Sequence, residues 1–136
     1  MTIPTSLLRT GGLLAVLALL LAGCSAASAG QDVSVLSAGE AVELLEQEPD
    51  AVVLDVRTPA EVAQGSIQGA MVIDFQGPDF EEQVAELDRD ATYVLYCRSG
   101  NRSAQAAQLM LDMGFSDLYD AGAYEDLAAV GLPIRR

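Results

Sequence analysis

The run Thr92-Tyr93-Val94-Leu95-Tyr96-Cys97-Arg98-Ser99-Gly100-Asn101-Arg102-Ser103 decides how this chain is read. Its first five residues form an apolar stretch of strand-forming type, and the stretch runs straight into Cys97. From Ser103 to Met113, Ala104, Ala107 and Leu111 recur at helical spacing with Gln105, Gln108 and Asp112 opposite them, until Gly114 stops the pattern. A cysteine therefore lies between the carboxyl end of a strand and the start of a helix. Ligands of open α/β sheets gather at that edge.

Working outward, the same alternation recurs on both sides. Val33–Leu36 reads as a short edge strand, and Ser37-Ala38-Gly39-Glu40 as a capping box opening a helix through Gln47, which Pro49-Asp50 ends. Ala51-Val52-Val53-Leu54-Asp55-Val56 is a continuous apolar run of the kind found in a central parallel strand. A second capping box, Thr58-Pro59-Ala60-Glu61, follows at once with Pro59 at the first helical position. Gly65 and Gly69 bracket a loop into a short strand at Ala70–Ile73, and Asp79–Leu87 is an acidic amphipathic helix. Leu118-Tyr119 reads as the last strand and Tyr124–Val130 as the last helix, ahead of Gly131-Leu132-Pro133. Strand and helix in regular alternation predict an α/β fold: a single domain with a central parallel five-stranded sheet and helices on both faces.

The chain has 136 residues, 51% of them hydrophobic, enough for one domain. Its N-terminus reads separately from that domain. Arg9 precedes an apolar run, Gly11–Ala22, shorter than the roughly 20 residues that span a bilayer, and the run ends in Leu21-Ala22-Gly23-Cys24. This is a secretory signal over residues 1–23. Leu21-Ala22-Gly23-Cys24 resembles the lipobox of bacterial lipoproteins, which implies cleavage before Cys24 and lipid attachment to its sulfur. Residues 24–31, small and polar, then serve as a tether between anchor and a domain at 32–136. The expected location is outside the cytoplasm, on a bacterial membrane of the cell envelope.

Loss of Arg9 leaves six arginines against 20 acids, a net charge of −14. That balance argues against nucleic acid as a partner and repels anions at long range. With Cys24 lipidated, Cys97 has no partner for an intramolecular disulfide and stays a free thiol.

No histidine occurs anywhere in the chain, so Cys97 needs another source of activation. A tight loop entering a helix turns several backbone N–H groups inward with the positive helix end behind them, and both favour a thiolate. Arg98 and Arg102 add positive charge, Gly100 suits a positive φ, and Ser99 and Ser103 bring hydroxyl donors; Asn101 completes the loop. A persulfide, anionic near neutral pH, suits such a cradle. It needs donors and no proton shuttle.

Four segments together, Leu54–Glu61, Gly65–Ala70, Tyr96–Ser103 and Gly131–Pro133, resemble the successive signatures of single-domain rhodaneses, sulfurtransferases whose cysteine carries sulfane sulfur. The resemblance implies that Cys97 accepts sulfur as a persulfide within an active-site loop from Cys97 to Arg102. It implies a small anionic sulfur donor, such as thiosulfate, a thiol or cyanide acceptor, and no cofactor. Related phosphatases carry five residues between cysteine and arginine; here only four intervene, and the narrower loop favours sulfur. The chain departs from the family's usual residues at Ser66, Gln68, Ala123 and Leu127, where histidine, proline, glycine and tryptophan are frequent. Ser66 and Gln68 are expected in a connecting loop, with little effect on chemistry, and Leu127 to loosen the last helix.

Asp55 and Arg57 read as a structural pair supporting the loop rather than as catalytic groups. Asp74 and Asp79 lack further ligands at a convincing spacing, so no metal is expected. Two readings besides the enzyme stay open at this level: a sulfur carrier or redox-sensing module serving a protein sulfur acceptor at the membrane, and a binding module in which Cys97 does little.

Overall fold

The computed structural model describes residues 32–136. The proposed signal, Cys24 and the tether lie outside the described residues.

Five strands form one parallel sheet: β1 (Ser34–Val35), β2 (Val52–Asp55), β4 (Met71–Val72), β5 (Thr92–Cys97) and β6 (Asp117–Ala123). Their order is β1-β6-β5-β2-β4, with β5 in the middle. Helices α1 (Ala38–Gln47) and α5 (Tyr124–Ala129) cover one face, and α3 (Phe80–Ala85) and α4 (Asn101–Asp112) the other. Ser37 and Thr58 close the two capping boxes, the second on the four-residue α2 (Pro59–Val62) with Pro59 as its first residue. The alternating strands and helices of the sequence, and the all-parallel sheet they predict, are present.

β5 is the most buried strand, its last five residues all within the core because helices pack on both faces. Leu54, Leu95, Ala106, Ala107, Met110 and Phe115 fill one layer; Ala41, Val94, Tyr96 and Leu127 fill the other. Burying each large apolar side chain contributes about 1.5–3 kcal/mol.

Two expectations are corrected. Ser66 does not lie in a loop: it belongs to β3 (Ser66–Ile67), which pairs antiparallel with β7 (Ile134–Arg135), and it is buried. Two-residue strands almost 70 positions apart carry no periodic signal, so the pairing is invisible locally. Leu127 does not loosen the last helix, since it is 1% exposed in the core, while Tyr124 stacks on Tyr96 with ring centroids 6.2 Å apart. An aromatic ring is supplied there from one turn earlier.

β5 also sits where the topology changes direction. From β5 the chain crosses through α4 to β6 on one side, whereas from β2, its other neighbour, it proceeds to β4 on the opposite side. The carboxyl ends of β2 and β5 therefore flank the crevice where such sheets bind ligands.

Candidate active site

β5 ends on Cys97, and α4 begins at Asn101, two residues earlier than the apolar spacing alone indicates. The turn between them depends on Gly100, which caps α4 at φ 89°. Its position is doubly restricted, because a Cβ there would meet Gly122 Cα at 3.3 Å. In this conformation the Gly100 N–H donates to Cys97 Sγ at 3.0 Å. The Ser103 amide and hydroxyl and the Ser99 amide lie near enough to favour the thiolate as well. Burial pushes the Cys97 thiol up, but these donors together outweigh it and hold the thiol below its ordinary value. The twelve-residue α4 adds its positive end behind them.

The base of the loop is a buried polar network. Asp55, fully buried at the end of β2, pairs with Arg57 at 2.7 Å, accepts the Arg57 amide at 3.0 Å and accepts the Tyr96 hydroxyl at 2.6 Å. Arg57 also donates to the Gly65 carbonyl at 2.7 Å and lies over the Tyr124 ring at 4.2 Å. Tyr96 accepts the Ile67 amide at 3.0 Å; burial and then the Asp55 bond raise its hydroxyl above the ordinary phenol value, so it acts as a fixed neutral donor. Removing one partner would strand a buried charge, at a cost of about 3–5 kcal/mol. Asp55 and Arg57 thus tie the ends of β2 and β5 to β3.

The two arginines differ in setting. Arg98 is exposed at the rim of a cavity of about 190 Å³, lined also by Arg57, Glu61, Gln64, Tyr124 and Glu125. Arg102 is held in a two-pronged ion pair with Glu61, at 2.7 and 2.8 Å. Expected from sequence to bind anions directly, Arg102 has both terminal nitrogens engaged, and its charge near Cys97 is largely balanced. Glu61 also closes the Thr58 capping box, and the Arg102 bond is the main cause that holds its carboxyl at about 2. Ser99 is exposed, and Asn101 lies on the outer face of α4, where its side-chain oxygen accepts from Gln105 at 2.6 Å. Ser103 is buried, and its hydroxyl reaches the Gly100 carbonyl at 3.1 Å and Asp120 at 2.6 Å.

Cys97 itself is fully buried. Three site residues escape the sequence reading. Glu61 reads only as a capping residue; Tyr124 reads only as a helix start; Asp120 lies just past the two residues taken as the last strand. Its signal was an acid between Tyr119 and Ala121 in a strand that runs on to Ala123.

A parallel sheet whose middle strand delivers a buried thiol into a tight turn at a helix N-terminus defines an α/β domain with its cysteine at the ligand-binding edge of the sheet. The chain belongs to the Rhodanese-like domain family, which matches residues 20–127. A sulfurtransferase of Allochromatium vinosum is 36% identical over 86 residues, covering 62% of this chain and 78% of that protein. The thiosulfate sulfurtransferase PspE of Escherichia coli is 32% identical over 77 residues, covering 55% and 72%. A crystal structure of a rhodanese-related protein from Thermoplasma volcanium superposes with a TM-score of 0.64 at 29% identity, over 75% of this chain and 97% of that one.

Proposed function

We propose that this protein is a rhodanese-type sulfurtransferase acting through a Cys97 persulfide. The observation that carries the reading is the Gly100 N–H on Cys97 Sγ at 3.0 Å, in a thiol held below its ordinary value at the positive end of α4. Family membership and the names of the relatives support the reaction class.

In the first half-reaction the Cys97 thiolate attacks the sulfane sulfur of thiosulfate or of a persulfide. The S–S bond of the donor breaks and sulfite or a thiolate leaves with the electron pair. The same inward N–H groups then hold the new anionic terminal sulfur, as they held the thiolate, so no proton has to move. In the second half-reaction a thiolate or cyanide attacks the outer sulfur, and Cys97 departs as the stabilised thiolate.

The reading includes a place for the protein. Cleavage before Cys24 and lipid attachment there would hold the domain outside the cytoplasm on a membrane of the bacterial cell envelope, with residues 24–31 as tether; the Leu21-Ala22-Gly23-Cys24 pattern supports this. The deciding measurement is the intact mass of the protein after incubation with thiosulfate, followed by turnover with cyanide. One added sulfur lost in Cys97→Ser, and repeated turnover, is the expected result. Absence of any added sulfur would end the proposal, and a single loading without turnover would make the protein a sulfur carrier.

A further inference from the structure

We propose that the cavity beside the active-site loop is the acceptor subsite, and that the acceptor it takes is an amino-acid-type thiol, one carrying both an ammonium and a carboxylate. The inference rests on the persulfide reading of Cys97 and names the acceptor for it.

The cavity holds about 190 Å³, less than the roughly 300–1,000 Å³ of pockets for drug-sized ligands and enough for a molecule of amino-acid size. Its Tyr124 wall is preformed. Tyr124 is fixed by stacking on Tyr96, by the Arg57 guanidinium 4.2 Å from its ring centre, and beside Gly65, where a Cβ would meet the Tyr124 hydroxyl at 2.7 Å.

Four charged residues line the space: Arg57, Glu61, Arg98 and Glu125. Arg57 is neutralised by Asp55, and Glu61 by Arg102. Arg98 and Glu125 are exposed and belong to neither of these two ion pairs among the described residues. The cavity therefore offers a ligand one cation and one anion, together with the Gln64 amide, which can donate or accept. Glu125 is not needed merely to complement the α5 dipole, because Asp126 stands in the same first turn and does not line the cavity.

This charge pattern selects among acceptors. Cyanide and plain alkyl thiols have no group for Glu125. A thiol bearing only a carboxylate is drawn by Arg98 but repelled by Glu125 and by the −14 of residues 24–136. A zwitterionic amino acid answers both side chains and brings no net charge for the acidic domain to repel.

Arg98 directly follows Cys97, so a carboxylate held there sits beside the loop, and an added sulfur stands about 2 Å beyond Sγ. The acceptor thiol gives its proton to solvent and its thiolate attacks that outer sulfur. A new S–S bond forms, the bond to Sγ breaks, and its electron pair stays on Cys97 as the thiolate. An amino-acid persulfide anion leaves, and total charge is unchanged.

The test starts from the persulfide form, loaded with thiosulfate, freed of it, and mixed with L-cysteine, cysteamine, 3-mercaptopropionate or cyanide. Each variant is compared with the wild type for the same acceptor, which cancels that acceptor's intrinsic reactivity. Glu125→Gln should lower the second-order discharge rate for cysteine and cysteamine about three- to tenfold relative to 3-mercaptopropionate. Arg98→Ala should do the same for cysteine and 3-mercaptopropionate relative to cysteamine. Equal changes for every acceptor overturn the proposal. Binding is read separately in Cys97→Ser with S-methylcysteine, which cannot accept sulfur: saturable NMR shifts are expected at Gln64, Tyr124 and Glu125, weakened by both substitutions, and their absence also overturns it. A wild type that never loads sulfur refutes the transferase reading itself, whereas loading and discharge to cyanide without the acceptor pattern refutes this inference alone.

Discussion

Replacing Glu61 by Gln isolates the ion pair that fastens the active-site loop to α2. Gln is nearly isosteric and keeps an oxygen for the Thr58 amide and hydroxyl, now 3.0 and 2.9 Å away, but it cannot hold Arg102 by two charged bonds. Moving the Glu61 carboxyl from 4.5 to about 2 corresponds to roughly 3 kcal/mol if taken whole. The paired side chains are 17% and 19% exposed, and solvent screening reduces the expected loss to about 1–2 kcal/mol. Because the folded-state pKa lies below the unfolded one, the contribution is complete above about pH 4.5 and disappears as pH falls toward 2. Urea unfolding of wild type and variant across pH 2–7 should therefore show a gap of about 1–2 kcal/mol at neutral pH that closes through this window. Other carboxylates titrate in both proteins and cancel. A gap that persists unchanged at the acid end, or its absence at pH 7, refutes the argument that Arg102 is held as a structural cation.

Cys97→Ser should fold normally yet show neither the added sulfur by mass spectrometry nor turnover, because a hydroxyl cannot form the persulfide; activity in that variant would end the mechanism. Gly100→Ala meets both a φ of 89° and a 3.3 Å contact with Gly122 Cα, and should lose about 1–2 kcal/mol in urea unfolding. With −14 on residues 24–136, raising ionic strength from about 10 to about 150 mM shortens the screening length from roughly 30 to 8 Å and should increase kcat/KM for thiosulfate. Arg98→Ala, made at the rim, should reduce that parameter through KM with kcat nearly unchanged. Cys24→Ala should move the protein from the membrane to the soluble fraction of fractionated cells, and retention on the membrane after signal cleavage would refute the lipid anchor.

How much of this was legible in the sequence depends on the range of each interaction. The apolar run ending in Cys97 and the two capping boxes are local patterns within a few residues, so strand, turn and helix starts follow from them directly. Gly100 is legible for the same reason, since its constraint is a backbone angle inside its own turn. β3 and β7 are not, because each has meaning only as the partner of the other. The reach of α4 back to Asn101 also escaped, because its first turn carries polar loop residues whose spacing is not apolar.

The same distinction explains why the electrostatics of the site were harder to read than its nucleophile. Arg102 in sequence is a cation two residues from a glycine turn; only the fold shows Glu61, 41 positions earlier, consuming its donors. Asp120, 17 positions after Ser103, looks like one acid among 20. What sets it apart is burial without a cation, a property of three elements meeting. In a chain with so many acids, most are solvated and interchangeable, and composition alone hides the three that matter to the loop, Asp55, Glu61 and Asp120. One, Glu61, neutralises a positive charge near the sulfur, which should disfavour a thiolate; the backbone amides more than offset this, since the Cys97 thiol still lies below its ordinary value. The site therefore relies on fixed dipoles rather than on net positive charge, and amides in hydrogen-bond contact with a buried sulfur are weakened far less than an exposed guanidinium by the salt that eases an anionic donor toward an acidic domain.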